Sequence, residues 1–419
     1  MVQSLTRAVP HFLDLPASAR IGFLLDPDTV RWCDQADDTS VIVASGMLDR
    51  RPVIIAATDP SHAAGSIGSA DAFRLISALA RAKTQRSTLV LLLDSAGARL
   101  TDGVAVLGAF RRLQRVMLET EDAGVRVLAV LGRHCFGGAS LVAFGALARL
   151  YIAGGQFGLS GPKAVLALDP AARPADVLAL YANERRVLTD RSGTLSVDDA
   201  ATVRTALARC LDQPVPKCPP KAVDAARFDL QGERVDACTF ARWFPKGCEL
   251  RASGHMVEGT APVTDTMHRV AGLVDGVPVT PAACKRMTSL LAAIALEPGV
   301  VPVILLLDSP GQSAASSDEA EPFSMLLAQL GAMLFRLRAS GRRVQLWITG
   351  QAGGAVYVVL AGAADTVVAW PGASIGTLPR AAIVGVLGGR GVAAHPDLIA
   401  AGVIDGRAGP PGVGLKGNA

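Results

Sequence analysis

The sequence has few aromatic residues, no paired cysteines and no block of like charge. Aromatic side chains make up 5% of the 419 residues, and Ala, Gly, Val and Leu dominate instead, which suits close packing of helices on sheets. The cysteines stand alone at positions 33, 135, 210, 218, 238, 248 and 284. Since none forms a C-x-x-C pair, a zinc ribbon or a redox motif is not expected. A metal site between Cys210 and Cys248 has irregular spacings, so no metal ligands are assigned.

The chain also lacks long hydrophobic runs. Its most apolar stretches, such as Thr88–Leu93 and Val301–Leu307, are far shorter than the roughly 20 residues that a membrane span needs. Met1–Pro16 has polar residues where a secretory signal would be apolar. The net charge of +4 is spread along the chain, which disfavours a nucleic-acid binder. We expect a cytoplasmic protein with reduced thiols and no membrane or nucleic-acid partner.

One pattern occurs twice along the chain. Leu89–Asp94 is an apolar run that ends in an acid, and Ser95-Ala-Gly-Ala-Arg99 follows it. Val303–Asp308 has the same form, followed by Ser309-Pro-Gly-Gln312. Each copy continues into an amphipathic stretch that predicts a helix, at 104–121 and 322–339.

A second strand and a glycine turn follow each of these predicted helices. The strands are predicted at 125–131 and 343–348. The turns are Phe136-Gly-Gly-Ala-Ser140 and Ala352-Gly-Gly-Ala-Val356. A helix, a third strand and a final turn complete each copy. They are predicted at 141–148, 149–153 and 158–162 in the first copy and at 357–363, 365–370 and 372–376 in the second.

This order predicts an α/β protein with two tandem domains and mostly parallel sheets. Residues 213–220 contain four prolines, which are incompatible with the interior of a helix or a central strand. The predicted domains are therefore 1–212 and 236–419, joined by a linker at 213–235. Residues 409–419 are rich in Gly and Pro and predict a loose tail.

The small-residue turns indicate a chemistry based on backbone N–H groups. Turns at the ends of neighbouring parallel strands can direct two donors at one oxygen and form an oxyanion hole. Such a hole suits a thioester, because charge collects on the thioester oxygen when its enolate forms. An H-E-x-x-H motif, a Walker loop and a G-x-G-x-x-G after a strand are all absent. The alternative, that the glycines only allow close packing, stays open.

The first half resembles a known family. Ser95-Ala-Gly-Ala-Arg-Leu-Thr-Asp-Gly103 is similar to the S-G-G-A-R-x-x-E-G turn of acyl-CoA carboxyltransferases and to the matching turn in the β subunit of biotin-independent malonate decarboxylase. Gly65-Ser-Ile-Gly68, Cys135–Ser140 and Gly158–Pro162 follow the order of that β subunit.

The second half resembles the γ subunit of the same decarboxylase. Asp308-Ser-Pro-Gly-Gln312 looks like its D-T/S-P-G-Q turn, and Ala241-Arg-Trp-Phe244 is similar to its N-terminal start. The resemblance suggests a fused β–γ chain built from two crotonase-like (ClpP/crotonase) domains with ββα superhelical units.

What the resemblance implies is decarboxylation of a malonyl thioester on an acyl carrier protein, in a site between the halves. The implied amide donors are Ala96, Gly97, Gly137, Gly138, Gly353 and Gly354. No tightly bound cofactor is implied; the substrate arm is a phosphopantetheine-type carrier or CoA. Expected partners are an acyl carrier protein, acyl-carrier transferase subunits and further copies of the chain.

Several side chains near these turns are candidates for substrate contacts. His134 is a candidate proton donor. Arg99 is a candidate ligand of a carboxylate or phosphate, or else the partner of Asp94 or Asp102 in a salt bridge. Ser140, Ser160 and Gln312 are candidate substrate contacts, with helix capping as the alternative.

The chain departs from the family's pattern at four positions. Ala96 stands at a usual glycine, Lys163 at a usual glutamate, Gly353 at a usual serine and Gly376 at an expected histidine. Two other functions therefore stay open. One is carboxyl transfer between carboxybiotin and an acyl-CoA, and the other is a catalytically silent scaffold for a carrier protein.

Overall fold

The chain forms two compact units. The structure, a computed structural model, describes residues 11–33, 38–215, 232–388, 390–394 and 397–408. Unit 1 comprises the described residues within 1–99, 119–161 and 173–217, and unit 2 comprises those within 100–118, 162–172 and 218–419. Most of the predicted linker, at 216–231, and the predicted tail at 409–419 lie outside the described residues.

Unit 1 contains a mixed sheet of eight strands. The strands are β1 Arg31–Trp32, β2 Val41–Leu48, β3 Arg51–Thr58, β4 Thr88–Ser95, β5 Val127–Phe136, β6 Ala148–Ile152, β7 Gln156–Gly158 and β8 Gly193–Ser196. Their order is β1-β2-β3-β4-β5-β6-β8, and β7 pairs with the end of β5. The strands β1 to β3 are antiparallel neighbours, whereas β3, β4, β5, β6 and β8 run parallel.

Unit 2 repeats this plan with nine strands. The strands are β9 Glu233–Arg234, β10 Glu249–Ser253, β11 Met256–Val263, β12 Thr266–Leu273, β13 Val303–Ser309, β14 Val344–Gly353, β15 Thr366–Ala369, β16 Ser374–Gly376 and β17 Gly406–Arg407. The order is β17-β15-β14-β13-β12-β11-β10-β9, and β16 pairs with the end of β14. An antiparallel hairpin of β11 and β12 again leads into parallel strands.

Helices connect the parallel strands. They are α1 Ala17–Leu24, α2 Ser69–Gln85, α3 Ala105–Asp122, α4 Gly138–Phe144, α5 Pro162–Leu168, α6 Pro174–Leu180, α7 Asn183–Arg186, α8 Ala200–Asp212, α9 Ala237–Phe240, α10 Pro281–Leu296, α11 Ser316–Glu319, α12 Phe323–Ala339, α13 Gly354–Ala363 and α14 Arg380–Leu387. The predicted α/β class with two tandem, mostly parallel units is confirmed. The predicted helices at 104–121 and 322–339 correspond to α3 and α12.

The core of unit 1 lies between its sheet and two helices. Ile21 and Leu24 of α1 and Leu207 of α8 pack with Ile55 and Leu150 of the sheet, and all five are at most 1% exposed. Complete burial of an aliphatic side chain of this size contributes about 1.5–3 kcal/mol to stability. The two helices therefore cover one face of the sheet to which β4 and β5 belong.

The first part of α3 belongs to unit 2, although the sequence places it in the predicted first domain. A Cβ atom at Gly108 would lie 2.0 Å from the carbonyl oxygen of Ala401, so the helix approaches that backbone closely. The buried Arg111 guanidinium forms an ion pair of 2.6 Å with Asp405 and donates to the Ala361 carbonyl at 3.3 Å. These contacts lie within unit 2 as the chain divides.

None of the helices in the described ranges combines the length and apolar character needed to cross a membrane.

Gly65 offers a test of how closely the first strand end is packed. Its φ is +64°, and an added Cβ would lie 2.0 Å from the Asp94 carbonyl oxygen. We expect Gly65→Ala to destabilise the protein by about 1–3 kcal/mol, because backbone must move and the conformation disfavours L residues. The measurement is the melting temperature of the full chain followed by circular dichroism.

Gly22→Ala is the matched control. Gly22 lies inside α1, and an added Cβ would meet no heavy atom within 4 Å. Alanine in a helix is favoured over glycine by about 0.5–1 kcal/mol, so this variant should melt at or above the wild-type temperature. Equal melting temperatures for the two variants would contradict the close approach at Gly65.

Candidate functional site

The first predicted turn leaves β4 between Ser95 and Arg99. The Ala96 N–H donates to the carbonyl of Ala64 at 3.0 Å, and the Gly97 N–H donates to the Ser95 hydroxyl oxygen at 3.1 Å. Gly97 has a φ of +101°, a value that favours glycine. Two of the four amides predicted as donors in this half are thus engaged inside the turn.

The second predicted turn leaves β5 and starts α4. Gly137 has a φ of +57°, and its N–H donates to the Leu159 carbonyl at 2.9 Å. The buried Ser140 hydroxyl donates to the Gly137 carbonyl at 2.7 Å and so fastens the turn, whereas the start of α4 has no side-chain cap.

The two turns are in direct contact. A Cβ at Gly97 would lie 2.9 Å from the Phe136 carbonyl oxygen and 3.3 Å from the Gly137 Cα. A Cβ at Gly137 would lie 3.4 Å from the Gly97 Cα and 3.8 Å from the Ala98 nitrogen. Glycine at both positions is therefore what lets the turns meet.

Two amides of these turns stay available. Within the described residues, the N–H groups of Ala98 and Gly138 have no hydrogen-bond acceptor, and both residues are half-buried. Of the four amides predicted as donors in unit 1, Ala96, Gly97 and Gly137 donate within the protein and Gly138 does not, while Ala98 was not predicted. Ala96 and Gly137 donate to carbonyls that are distant in sequence, which no local pattern reveals.

The same geometry recurs in unit 2, and strand register fixes the correspondence. Ser95 pairs with Cys135 across β4 and β5, as Ser309 pairs with Ala352 across β13 and β14. The second turn of unit 2 is therefore offset by 217 residues from that of unit 1.

A single parallel bridge next to the first turn confirms the correspondence. Ile67 bridges to Ala98 in unit 1, and Val279 bridges to Gln312 in unit 2. Ala98 and Gln312 thus occupy equivalent positions.

The offset corrects the predicted donors of the second half. Gly354, with a φ of +56°, corresponds to Gly137 with +57°, so Ala355 rather than Gly354 corresponds to Gly138. Gly353 is instead the end of β14, with an extended φ of −172°, and a Cβ there would lie 2.6 Å from the carbonyl oxygen of Pro310. The motif letters alone suggested a match one residue too early.

Gln312 occupies the second-half turn with its own side chain. Its Oε1 atom accepts the Ala355 N–H at 2.9 Å. A Cβ at Gly354 would lie only 2.4 Å from the same oxygen. An amide carbonyl therefore sits at the donor that corresponds to the free Gly138 N–H of unit 1.

Arg99 pairs with a residue that the sequence did not single out. Its guanidinium contacts the Asp71 carboxylate at 2.6 Å and the Ser66 carbonyl at 2.9 Å. The fully buried Asp71 also accepts the Gly68 N–H at 2.8 Å, as an acid in the first turn of α2. An acid in the first turn of a helix was the available sequence signal. The predicted alternative partner Asp94 is instead paired with Arg20, at 2.9 Å.

His134 lies on β5, just before the second turn, with its side chain exposed and its ring centroid 6.0 Å from that of Phe136. Desolvation by the surrounding protein lowers the pKa of His134; the Asp94 carboxylate opposes this effect and Arg133 adds to it. The imidazole is therefore mainly neutral near pH 7.

Two neighbouring residues are buried structural elements. Burial raises the pKa of the Cys135 thiol well above its ordinary value, so it stays protonated and is a poor nucleophile. Ser160 is 6% exposed, and its carbonyl accepts the Tyr181 hydroxyl at 2.6 Å.

The sequence of unit 1 is similar to a described domain family. Residues 31–170 match the family model "Carboxyl transferase domain". The acetyl-coenzyme A carboxylase carboxyl transferase subunits beta/alpha of Saccharopolyspora erythraea are 28% identical over 128 residues, which is 30% of this chain and 22% of that protein. The propionyl-CoA carboxylase carboxyltransferase subunit of Haloferax mediterranei is 31% identical over 140 residues, which is 30% of this chain and 27% of that protein.

A solved structure extends the comparison. A chain of a Pseudomonas malonate decarboxylase hetero-tetramer in complex with malonate is 26% identical, with a TM-score of 0.46, and the match covers 57% of this chain and 98% of that chain. The chain spans less than a third of the length of the two curated relatives named above. Residues 31–170, with both turns of the unit 1 site among them, are related to the carboxyl transferase domain family.

Proposed function

We propose that this chain stabilises the enolate of an acyl thioester with the N–H groups of Ala98 and Gly138. The observation that carries the proposal is that these two amides are free and half-buried, and belong to turns in direct contact. Both turns follow the carboxyl ends of parallel strands, where ligands bind in sheets of this type. One such donor is worth about 3–4 kcal/mol of transition-state stabilisation.

The reaction that we propose is decarboxylation of a malonyl or related carboxyacyl thioester. The bond between the carboxylate and the neighbouring carbon breaks, CO2 leaves, and the electron pair moves onto the thioester oxygen as an enolate. The amides hold this oxygen. A proton then adds to the carbon and gives the acetyl thioester. The carboxylate leaves as neutral CO2 and its negative charge passes to the enolate, so no nucleophile is needed.

The substrate arm is, in this proposal, a phosphopantetheine-type carrier or CoA. The repeated plan of units 1 and 2 and the Asp308–Gln312 turn support a fused β–γ decarboxylase chain. An acyl carrier protein and acyl-carrier transferase subunits would then be its partners.

Carboxyl transfer is the second candidate, favoured by the match to the carboxyl transferase domain. An enolate can take up CO2 as well as a proton, so the same amides serve both reactions. Wild-type chain incubated with malonyl-carrier and malonyl-CoA, without biotin, separates the two. Mass spectrometry should show loss of CO2 from the acyl group if decarboxylation is the reaction. Unchanged malonyl thioesters across a panel that includes methylmalonyl substrates would overturn it and favour carboxyl transfer or a silent scaffold.

Gly138→Pro tests the amide itself. Gly138 is the first residue of α4, where proline fits the helix and removes only the N–H. We expect turnover to fall about 10²–10³-fold, because one donor to the enolate oxygen is lost. The measurement is kcat for malonyl thioester decarboxylation, with the melting temperature recorded alongside.

Gly138→Ala is the control for this change. It adds a Cβ, as proline does, but keeps the N–H, so its kcat should exceed that of Gly138→Pro by at least about tenfold. Similar rates for the two variants would show that the amide does not act on the reacting oxygen.

His134 allows a prediction on pH. Because its pKa is lowered, the unfolded chain binds a proton at this residue more readily than the folded protein. Stability from the neutral form is therefore present above the ordinary His pKa of about 6.5 and is lost as the pH falls through it. Between neutral and acidic pH, the melting temperature of His134→Gln should therefore fall by less than that of wild type.

The same variant tests the predicted proton donor. A mainly neutral imidazole is a poor acid, so we expect the kcat of His134→Gln above neutral pH to stay within about threefold of wild type. A loss of about a hundredfold, with a fall in kcat at rising pH that disappears in the variant, would assign proton donation to His134.

A further inference from the structure

The two halves hold the same pair of backbone donors in different states. In unit 1 the position after Gly97 is Ala98, whose methyl side chain has no polar atom, and the Gly138 N–H is free. In unit 2 the equivalent position is Gln312, and its side chain accepts the Ala355 N–H.

We propose that Gln312 closes the unit 2 turn pair to external ligands and so determines the specificity of the chain. The unit 2 turns have the build of a site for a carbonyl or enolate oxygen, and the Oε1 atom of Gln312 stands where such an oxygen would bind. The chain then binds one carbonyl substrate, at unit 1, and holds no second one at unit 2.

The geometry shows that the occupant is an added feature rather than a need of the turn. Gly311 has a φ of +129° and meets the second turn closely, since its Cβ would lie 3.1 Å from the Gly353 carbonyl oxygen. Gly97 and Phe136 form the same contact in unit 1 at 2.9 Å. That contact forms in unit 1 with alanine at position 98, so the backbone does not require glutamine to bring the turns together.

The hydrogen bond between the Ala355 N–H and Gln312 also favours the closed state of the unit 2 turn pair energetically. A buried amide donor left without an acceptor is destabilising, and Gln312 removes this cost for the buried Ala355 within the chain. An external carbonyl must displace an intramolecular acceptor that is already in place. A ligand of ordinary weak affinity does not overcome such an effective concentration.

The consequence for the reaction rests on the proposed function. With the unit 2 turn pair occupied by Gln312, unit 2 holds no carbonyl substrate that could accept a carboxyl group. Protonation is then the outcome, and the carboxyl group is released as CO2 rather than passed to a cyclic urea such as that of biotin.

Gln312→Ala gives unit 2 the side chain that unit 1 has. The probes are acetamide, which replaces the lost amide, and 2-imidazolidinone, a cyclic urea. We expect each probe to raise the melting temperature of Gln312→Ala by about 2–4 °C in a saturable manner, because a ligand that binds only the folded state stabilises it. Any rise for wild type, whose open turn pair lies in unit 1, should be smaller than that for Gln312→Ala.

Gln312→Glu is the matched control. Its carboxylate oxygen can accept the same Ala355 N–H, so the unit 2 turn stays occupied and the probes should raise the melting temperature no more than in wild type. No saturable rise for Gln312→Ala with either probe, or an equal rise for wild type, would overturn the closure by Gln312. These readouts are independent of turnover, so they stand even if the proposed decarboxylation fails.

The reciprocal change joins the two proposals. Ala98→Gln places the occupant in unit 1, where its side chain can accept the Gly138 N–H, and kcat for decarboxylation should fall about a hundredfold. If Gln312→Ala binds the probes but Ala98→Gln and Gly138→Pro both keep full activity, the closure holds and the proposed enolate site is wrong. If Gly138→Pro alone is inactive and the probes do not bind, the enolate site holds and the closure is wrong.

Discussion

The Asp94 carboxylate fixes the two turns of unit 1 relative to one another. It forms a buried ion pair of 2.9 Å with Arg20 and accepts the His134 N–H at 3.1 Å, so it ties the end of β4 to the end of β5. A Cβ at Gly132 would lie 2.6 Å from the Asp94 Cβ, so only glycine leaves room for this carboxylate. Loss of either partner would leave a buried charge uncompensated, which is strongly destabilising. The positions of the unit 1 amides depend on this arrangement.

The sequence predicted the fold where burial and period agree. Strands such as β4 and β13 are buried on both faces, so they appear as unbroken apolar runs, and α3 and α12 show amphipathic spacing. The hairpins of β2 with β3 and β11 with β12 were not predicted, because these strands are only partly buried and carry no tight-turn signal. The register of the strands could not be predicted from the sequence either, because it is set by pairing between strands that are distant in the chain.

The site could be predicted as a kind of structure but not as a set of atoms. Small residues after a buried strand indicate exposed amides, and that much follows from the letters. Which amides are free depends on acceptors such as Ala64 and Leu159, which only the tertiary fold brings to the turns. Arg99 shows the same limit: its charge was visible, but its partner Asp71 is set by how α2 packs beside the turn.

Because the same pair of backbone turns occurs in both units, a difference in one side chain is enough to give the two copies different roles. Peptide donors do not change with sequence, so neither copy can lose its amides by ordinary substitution without disturbing the turn. The side chain next to them is free to vary, because it lies outside the contact between the turns. With alanine at 98, the Gly138 N–H is left for an external oxygen. Glutamine at 312 instead supplies an oxygen from within the chain to the Ala355 N–H. In a site whose donors are backbone N–H groups, divergence therefore occurs in the neighbouring side chain that does or does not occupy the site.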